Sequence, residues 1–181
     1  MDSDERDLDL DEVLIGGREK REIVIVDYDA TWPARFEAER ARVQQALGAC
    51  ALRIEHIGST AVPGLAAKPI IDLLVTLEDL DDDTATVAAL TAVGYELRVR
   101  ESGHRMFRTH QHDVHVHIWG DADPEVTRYL RFRDRLRQSS EDRQAYEQLK
   151  RELARSEWPD MNDYADAKGA LIEDILARAG H

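Results

Sequence analysis

An α+β domain, with a mixed β-sheet at its core and a helical C-terminal part, is the fold class that the sequence predicts. Up to Trp119, short strand-like runs alternate with amphipathic helical patterns, which is typical of a sheet flanked by helices. After Trp119, three helical patterns follow one another without an intervening strand. The chain has 181 residues, which is enough for one domain with a core of ordinary size.

Local patterns indicate each strand and helix of the first part. Apolar runs and alternating patterns predict six strands, at residues 23–26, 52–57, 69–77, 95–100, 104–108 and 114–119. A helix is expected after Thr31 as its cap, with Pro33 in the first turn and Gly48 at its end. A second helix is expected at residues 83–93 and should end at Gly94.

The helical C-terminal part begins with Asp123 as a cap and Pro124 at the first helical position. Ser140 is expected to cap the next helix. The inner face of that helix is expected to consist of Tyr146, Leu149 and Leu153. The last helix is expected to run without a break through residues 163–179.

The charge of the chain is negative and unevenly distributed. The net charge is −13, and residues 1–12 contain seven acids and one arginine. We expect residues 1–21 to be a disordered, solvated tail and residues 22–181 to form the domain. The negative sign argues against nucleic acid as a partner, because non-specific nucleic-acid binding needs a basic surface.

The apolar runs and the cysteine content narrow the class of protein further. No apolar run approaches the ~20 residues of a membrane-spanning helix, so no membrane partner is expected. The acidic N-terminus lacks the basic and then apolar order of a secretory signal, which favours a cytoplasmic protein. Cys50 is the single cysteine, which excludes an internal disulfide and a cysteine-based zinc site.

One aspartate interrupts an apolar strand. The stretch IEHIGSTAVPGLAAKPIIDLLV, residues 54–75, contains Gly58-Ser59 and, after twelve intervening residues, Asp72. A glycine after a strand lets the backbone approach a ligand closely, and a serine hydroxyl with nearby amides can hold phosphate oxygens. A carboxylate among apolar neighbours needs a partner or a metal ion. The alternative is an aspartate at an exposed or hydrogen-bonded strand edge.

Two histidines lie two positions apart on a later strand. In HDVHVHIW, residues 112–119, the side chains of Asp113, His115 and His117 point to one face, because side chains alternate along a strand. Imidazoles at this spacing can reach one metal ion, one phosphate group or one proton relay. The alternative is a solvated strand face. Basic and titratable residues are concentrated just upstream, which favours a cleft that faces an anion.

These segments resemble the GrpB family of small bacterial proteins. The resemblance is carried by residues 54–75 and by YDATWPARFEAER, HRMFRTHQHDVHVHIW, RYLRFRDRLR, YEQLKRELA and YADAKGALI, so it covers nearly the whole chain after the tail. The family is similar to the nucleotidyltransferase superfamily typified by DNA polymerase beta. The resemblance implies a mixed sheet with a Gly-Ser turn after its first strand. It also implies carboxylates on the following strands, which hold two Mg²⁺ ions for phosphoryl transfer.

The match to that superfamily pattern is incomplete. Gly58 and Ser59 match the turn, and Asp72 matches the first acid. Leu74 stands at the second acid position, and His115 or His117 would take the place of the third. Leucine removes a hard oxygen ligand, and histidine is a softer ligand than Mg²⁺ prefers. Chemistry with one metal ion, chemistry with a metal such as Mn²⁺ or Zn²⁺, and binding without turnover all stay open.

The resemblance also implies a set of site residues and a function. The catalytic and metal-binding residues are expected to be Asp72, His115 and His117, with Mg²⁺ or Mn²⁺ preferred over Zn²⁺. The residues that bind a nucleoside triphosphate are expected to be Gly58, Ser59, Thr60, Lys68, Arg105 and Lys168. The expected function is nucleotidyl transfer to an acceptor. One alternative is a non-catalytic nucleotide- or anion-binding module near coenzyme A metabolism, because some relatives are fused to a dephospho-coenzyme A kinase. The other is a mononuclear metal hydrolase.

Overall fold

The chain alternates strands and helices up to Gly120 and is helical after it. The structure is a computed structural model that describes residues 13–17, 19–20 and 22–180. Its elements in chain order are α1 (Trp32–Leu47), β1 (Arg53–Ile57), β2 (Ile71–Leu77), α2 (Thr84–Ala92), β3 (Tyr95–Glu101), β4 (His104–Thr109), β5 (Val114–Gly120), α3 (Pro124–Gln138), α4 (Ser140–Leu153), α5 (Met161–Asp166) and α6 (Gly169–Ala179). The predicted α+β class with a helical C-terminal part is confirmed.

The five strands form one mixed sheet in the order β1-β2-β5-β4-β3. Strands β2 and β5 run parallel, and the other neighbouring pairs run antiparallel. The parallel register places Asp72 beside His115 and Leu74 beside His117. Because paired residues share a face of the sheet, the aspartate and both histidines project from the same side.

Helices α1 and α2 cover the opposite face of the sheet. Residues Trp32, Phe36, Val43 and Leu47 of α1 are buried, as their helical spacing predicts. They pack on the alternate residues of the central strands, such as Leu73 and Val116. This face is therefore the main core, and the histidine-bearing face is left for the C-terminal helices.

The C-terminal helices cover only part of the histidine-bearing face. Val126 of α3 packs on Ile57 and Leu74. A separate apolar cluster joins the helices to the loop after β1 and consists of Val62, Leu65, Leu136, Tyr146 and Ile175. A cavity remains between the helices and the sheet. None of the helices in the described ranges is long and apolar enough to span a membrane.

Three expectations about individual elements are wrong: one strand, one helix cap and one continuous helix. Residues 23–26 do not form a strand of the sheet, because Val26 exchanges both backbone hydrogen bonds, at 2.9 Å each, with Ala67 in the loop before β2. Helix α4 is capped by Ser139, whose hydroxyl accepts from the amide of Asp142, and Ser140 is already helical. The expected helix at 163–179 is interrupted after Asp166 and resumes at Gly169.

Local chemistry explains the interruption of the last helix. The carboxylate of Asp160 accepts from the amides of Asn162 and Asp163 and so starts α5 as a short, separately capped helix. The amide of Lys168 then donates to the carbonyl of Ala165, which closes a tight turn before Gly169. The break points the side chain of Lys168 toward the cavity.

Residues 13–17 and 19–20, here called the N-terminal strap, pack on the far strands of the sheet. Leu14 forms a bridge with Val99, and the guanidinium of Arg98 donates to the carbonyls of Ile15 and Gly17. Glu19 accepts two hydrogen bonds from Arg108, at 2.8 and 2.9 Å. The packed part of the chain therefore starts before residue 22. The other residues of the expected tail, 1–12, 18 and 21, lie outside the described residues.

Candidate metal and phosphate site

The turn after β1 brings the backbone against the aspartate of β2. Gly58 has φ 71° and ψ −175°, a conformation that is almost restricted to glycine. A Cβ atom at Gly58 would collide with Oδ2 of Asp72. A 3₁₀ turn, Ser59–Ala61, follows at once and directs Ser59 into the cavity. Only glycine at position 58 permits this close approach.

Asp72, His115 and His117, here called the ligand trio, converge on one point. Oδ1 of Asp72 lies 3.3 Å from Nδ1 of His115 and 3.8 Å from Nε2 of His117. One donor atom from each residue lies within 4.8 Å of the others. Burial by itself would raise the pKa of Asp72, but the two histidines hold it below the ordinary value. The carboxylate is therefore ionised at neutral pH.

A second layer of side chains orients His117. Nδ1 of His104 lies 2.6 Å from a carboxylate oxygen of Glu101, and Nε2 of His104 lies 3.3 Å from Nδ1 of His117. The ring of His104 also stacks on Trp119, with 4.1 Å between centroids. Burial, with the neighbouring His117, lowers the pKa of His104 to about 3, so that ring is neutral.

The hydrogen bonds of His104 determine which ring nitrogen of a neutral His117 carries the proton. A carboxylate only accepts hydrogen bonds, so Nδ1 of His104 carries its proton and Nε2 accepts from Nδ1 of His117. In the neutral ring, the Nε2 atom of His117, 3.8 Å from Oδ1 of Asp72, then carries the lone pair that would bind a metal ion. Histidine ligands of metals commonly have such a second partner on the other ring nitrogen.

Three lysines lie across the cavity from the ligand trio. Lys68 and Lys168 lie over the ring of Tyr164, at 4.7 and 4.4 Å from its centroid. Lys150 is 3% exposed, lies 5.0 Å from the centroid of Tyr146, and donates to Oγ of Ser59 at 3.0 Å. We call Lys68, Lys150 and Lys168 the lysine cluster.

A cavity of about 310 Å³ joins the trio to the lysine cluster. All three ligand residues and all three lysines line it, and so do the aromatic residues Tyr129, Phe132, Tyr146 and Tyr164. Burial, and then repulsion by neighbouring lysines, lowers the pKa of Lys150 to about 7 and that of Lys168 to about 8. The cavity thus combines a potential metal site with an electropositive wall.

Most of the residues expected from the sequence meet in this cavity. Gly58, Ser59, Lys68 and Lys168 line it together with the ligand trio. Thr60 also borders the cavity, but its hydroxyl donates to the carbonyl of Ile70 at 2.9 Å and lies 3.1 Å from Nε2 of His56. Thr60 therefore fixes the loop, and its hydroxyl is not directed at a ligand.

Arg105 lies apart from the other expected residues. It projects from the opposite face of β4, because its neighbours Met106 and His104 point toward the histidines. Its guanidinium binds the carboxylate of buried Asp83 and the carbonyl of Leu80. The expectation that Arg105 contacts a triphosphate in this cavity is therefore wrong: the alternation of the strand directs it to the other side.

An Arg105→Met variant should be less stable but should keep its ligand affinities. Removing one partner of a buried ion pair typically costs about 3 kcal/mol, and Asp83 retains Arg100 at 2.9 Å. Urea unfolding should therefore show a loss of up to that size. Metal and nucleotide titrations should be unchanged from those of the wild type. A weakened nucleotide titration in a folded variant would contradict the placement on the far face.

Sequence reasoning missed Lys150. Lys150 lies four residues after Tyr146, on the face of α4 that was expected to be apolar. A lysine in the inner stripe of an amphipathic helix was the available signal. Leu149 and Leu153, which were expected to face inward, are only half-buried.

The donor set fits a single transition-metal ion. Two imidazoles and one carboxylate suit Zn²⁺ or Mn²⁺ better than Mg²⁺, which prefers oxygen ligands only. Leu74, at the position of the second acid, is fully buried against Ile57 and Val126. No second carboxylate among the described residues joins the cluster of potential ligands. A two-metal arrangement therefore has no ligands for its second ion here.

Comparisons with known proteins agree with this fold. A UPF0157 protein of Streptomyces coelicolor is 51% identical over 167 residues, which cover 92% of this chain and 89% of that protein. A dephospho-CoA kinase of Mycobacterium leprae is 28% identical over 187 residues, covering 86% of this chain but 46% of that protein. The crystal structure of the conserved protein GrpB from Enterococcus faecalis matches with a TM-score of 0.78 and 35% identity, covering 86% of this chain and 96% of that one. The model of the GrpB protein family matches residues 22–178, and the chain therefore belongs to the GrpB family.

Proposed function

We propose that the protein binds one divalent metal ion at the ligand trio and a nucleoside triphosphate in the adjoining cavity, and transfers the nucleotidyl group to an acceptor. The observation that carries the proposal is the convergence of three donor atoms within 4.8 Å beside an electropositive cavity. Metal ions and lysines are the two groups that most commonly neutralise phosphates in such reactions. The cavity is lined by three lysines and by side chains that would hold a metal ion.

The side chains of the chain have distinct roles in this proposal. Asp72, His115 and His117 would hold the ion, which would supply Lewis-acid chemistry at the phosphates. Glu101 and His104 keep the lone pair of His117 directed at the ion. The lysine cluster and Ser59 hold the phosphates, and the aromatic residues on the wall of the cavity exclude water around the base.

The transfer step balances without a further reagent. An acceptor hydroxyl oxygen attacks the α-phosphorus, and the bond from that phosphorus to the bridging oxygen of the β-phosphate breaks. Pyrophosphate leaves with the bonding pair, and the proton of the acceptor passes to solvent. What the chain contributes is position and charge, which dominate catalysis of phosphoryl transfer.

Hydrolysis by a single metal ion is the second candidate function. The buried Leu74 favours it, because the trio then resembles the three protein ligands of catalytic zinc sites, which leave one position open for water. The acceptor would then be water and the product a nucleoside monophosphate. The two candidates share the site and differ in the acceptor alone, so product analysis separates them.

Metal binding should depend on the ligand trio. We expect the purified full chain to bind Zn²⁺ or Mn²⁺ at one ion per chain, measured by elemental analysis after dialysis. His117→Gln should lower the affinity for the ion by about a hundredfold or more, because it removes one of three ligands, and the loss of an outer partner alone typically costs about tenfold to a hundredfold. His110→Gln is the matched control, because the side chain of His110 is 86% exposed and does not line the cavity. An unchanged affinity in His117→Gln would contradict the site.

Nucleotide binding is tested with the same proteins. Nucleoside triphosphate at 100 times its dissociation constant stabilises a protein by about 2.7 kcal/mol, which raises the Tm of a domain of this size by roughly 5 to 10 °C. The rise should be larger with the metal than without it, and the gain from the metal should be smaller in His117→Gln than in His110→Gln. Pyrophosphate released together with nucleoside monophosphate would favour hydrolysis over transfer.

A further inference from the structure

The lysine cluster contains a buried ammonium group that the metal site does not need. Lys150 is 3% exposed, and its hydrogen bonds go to neutral oxygens: the hydroxyl of Ser59 at 3.0 Å and the carbonyl of Ala66. The nearby carboxylate of Glu147 is already bound to Arg151 and to the amide of Ala66. A buried ammonium normally requires an anion beside it.

A second side chain points to the same place. Tyr164 is 1% exposed, and its hydroxyl has no hydrogen-bond partner among the described residues. Lys68 and Lys168 both lie over its ring, and all three residues line the cavity. Buried hydroxyl groups are nearly always hydrogen-bonded, so the unpartnered hydroxyl of a residue that lines the cavity calls for a partner, which a phosphate oxygen can supply.

We propose that Lys150, Lys168, Lys68 and Tyr164 form a subsite for a phosphate dianion, the terminal phosphate of the substrate, which fills without the metal ion. The subsite deepens the proposed function, since it places one phosphate of that substrate. Three ammonium groups and one hydroxyl supply the charge and the donors that the oxygens of such a group require. Residue 150 is the determining member, because it reaches the cavity from the buried face of α4.

Phosphate should enter this subsite together with a proton. The charged groups that act on Lys150 and Lys168 are Lys68, Asp72, Glu147, Arg151 and Asp166. Burial and the mutual repulsion of the lysines lower the pKa of Lys150 to about 7. A dianion beside it reverses that effect, so the bound form retains a proton that the free form loses. The affinity should therefore fall as the pH rises from about 7.5, where free phosphate is already mostly the dianion, to 9.

The test is a calorimetric titration of inorganic phosphate into the chelator-treated full chain. The wild type should bind phosphate without metal, and Lys150→Met should lower the affinity by about tenfold to a hundredfold. Lys20→Met is the control for a lost surface charge, because the side chain of Lys20 is 62% exposed and pairs with Glu157. Tyr164→Phe keeps the ring and should lower the affinity by about two- to tenfold.

The outcomes separate this subsite from the metal centre. Phosphate binding that depends on Lys150 and Tyr164 supports the subsite, even if the chain binds no metal ion and the proposed reaction fails. Phosphate affinity that is equal in wild type, Lys150→Met and Tyr164→Phe overturns the subsite while leaving the metal centre intact. An affinity that falls as much in Lys20→Met as in Lys150→Met overturns it as well.

Discussion

Replacing Gly58 by alanine is expected to destabilise the protein by about 3 kcal/mol or more and to abolish tight metal binding. The backbone of Gly58, at φ 71° and ψ −175°, costs a residue with a Cβ atom about 1 to 3 kcal/mol. The new Cβ atom would also collide with Oδ2 of Asp72. Relief of the collision must move either the turn or the carboxylate, and the carboxylate is a member of the ligand trio. Urea unfolding and metal titration on the same sample measure the two effects.

Gly64→Ala is a matched control for that experiment. Gly64 also has a positive φ, 78°, but a Cβ atom there would meet no atom within 4 Å. This control should lose stability through backbone strain alone and should bind metal like the wild type. Equal metal affinity in Gly58→Ala and Gly64→Ala would show that the contact with Asp72 does not position the carboxylate.

Lys150→Met is expected to make the protein more stable at pH 6 than the wild type. The folded protein holds Lys150 at a pKa of about 7, against 10.5 for an ordinary lysine. Between these values the unfolded chain binds more protons than the folded one, so the stability of the wild type rises with pH. The penalty for burying the ammonium is complete below pH 7 and disappears as the pH approaches 10.5.

The size of this effect can be measured by urea unfolding at pH 6, 7.5 and 9. The advantage of Lys150→Met should shrink by roughly 2 to 3 kcal/mol between pH 6 and pH 9. Lys20→Met, which removes an exposed lysine, should differ from the wild type by an amount that is constant across this range. A constant difference for Lys150→Met as well would mean that Lys150 is not held in an unfavourable charged state.

The strong local patterns predicted most of the fold, and the misses have identifiable causes. Helix α1 was evident from Pro33, Gly48 and four apolar residues at helical spacing, and β5 from strict alternation. Residues 23–26 have the composition of a strand, but the loop at Ala67 provides their partner. Composition reports what a segment can form, whereas the choice of partner depends on distant parts of the chain.

The site could be predicted only where a motif and a strand period coincided. Alternation along the strands predicted which face of the sheet the side chains of Asp72, His115 and His117 would share. The register of β2 against β5, which places them side by side, could not be derived from the sequence. Arg105 was assigned to the nucleotide site because of its charge, but the same alternation places its side chain on the opposite face of the sheet. Lys150 lies on a helix with no recognisable motif, and its burial depends on how α4 packs over the loop after β1.

The parallel pairing of β2 and β5 also has a consequence for how the protein folds. Asp72 and His115 are 43 positions apart, and the antiparallel strands β3 and β4 lie between them in the chain. Parallel pairing across such a separation forms late in folding, because the chain loses the entropy of closing a long loop before the contacts between the two strands stabilise it. The three ligand residues are therefore not assembled during the early steps of folding, and a metal ion cannot direct those steps. An ion would instead bind the completed sheet and stabilise it. It would slow unfolding much more than it would speed folding.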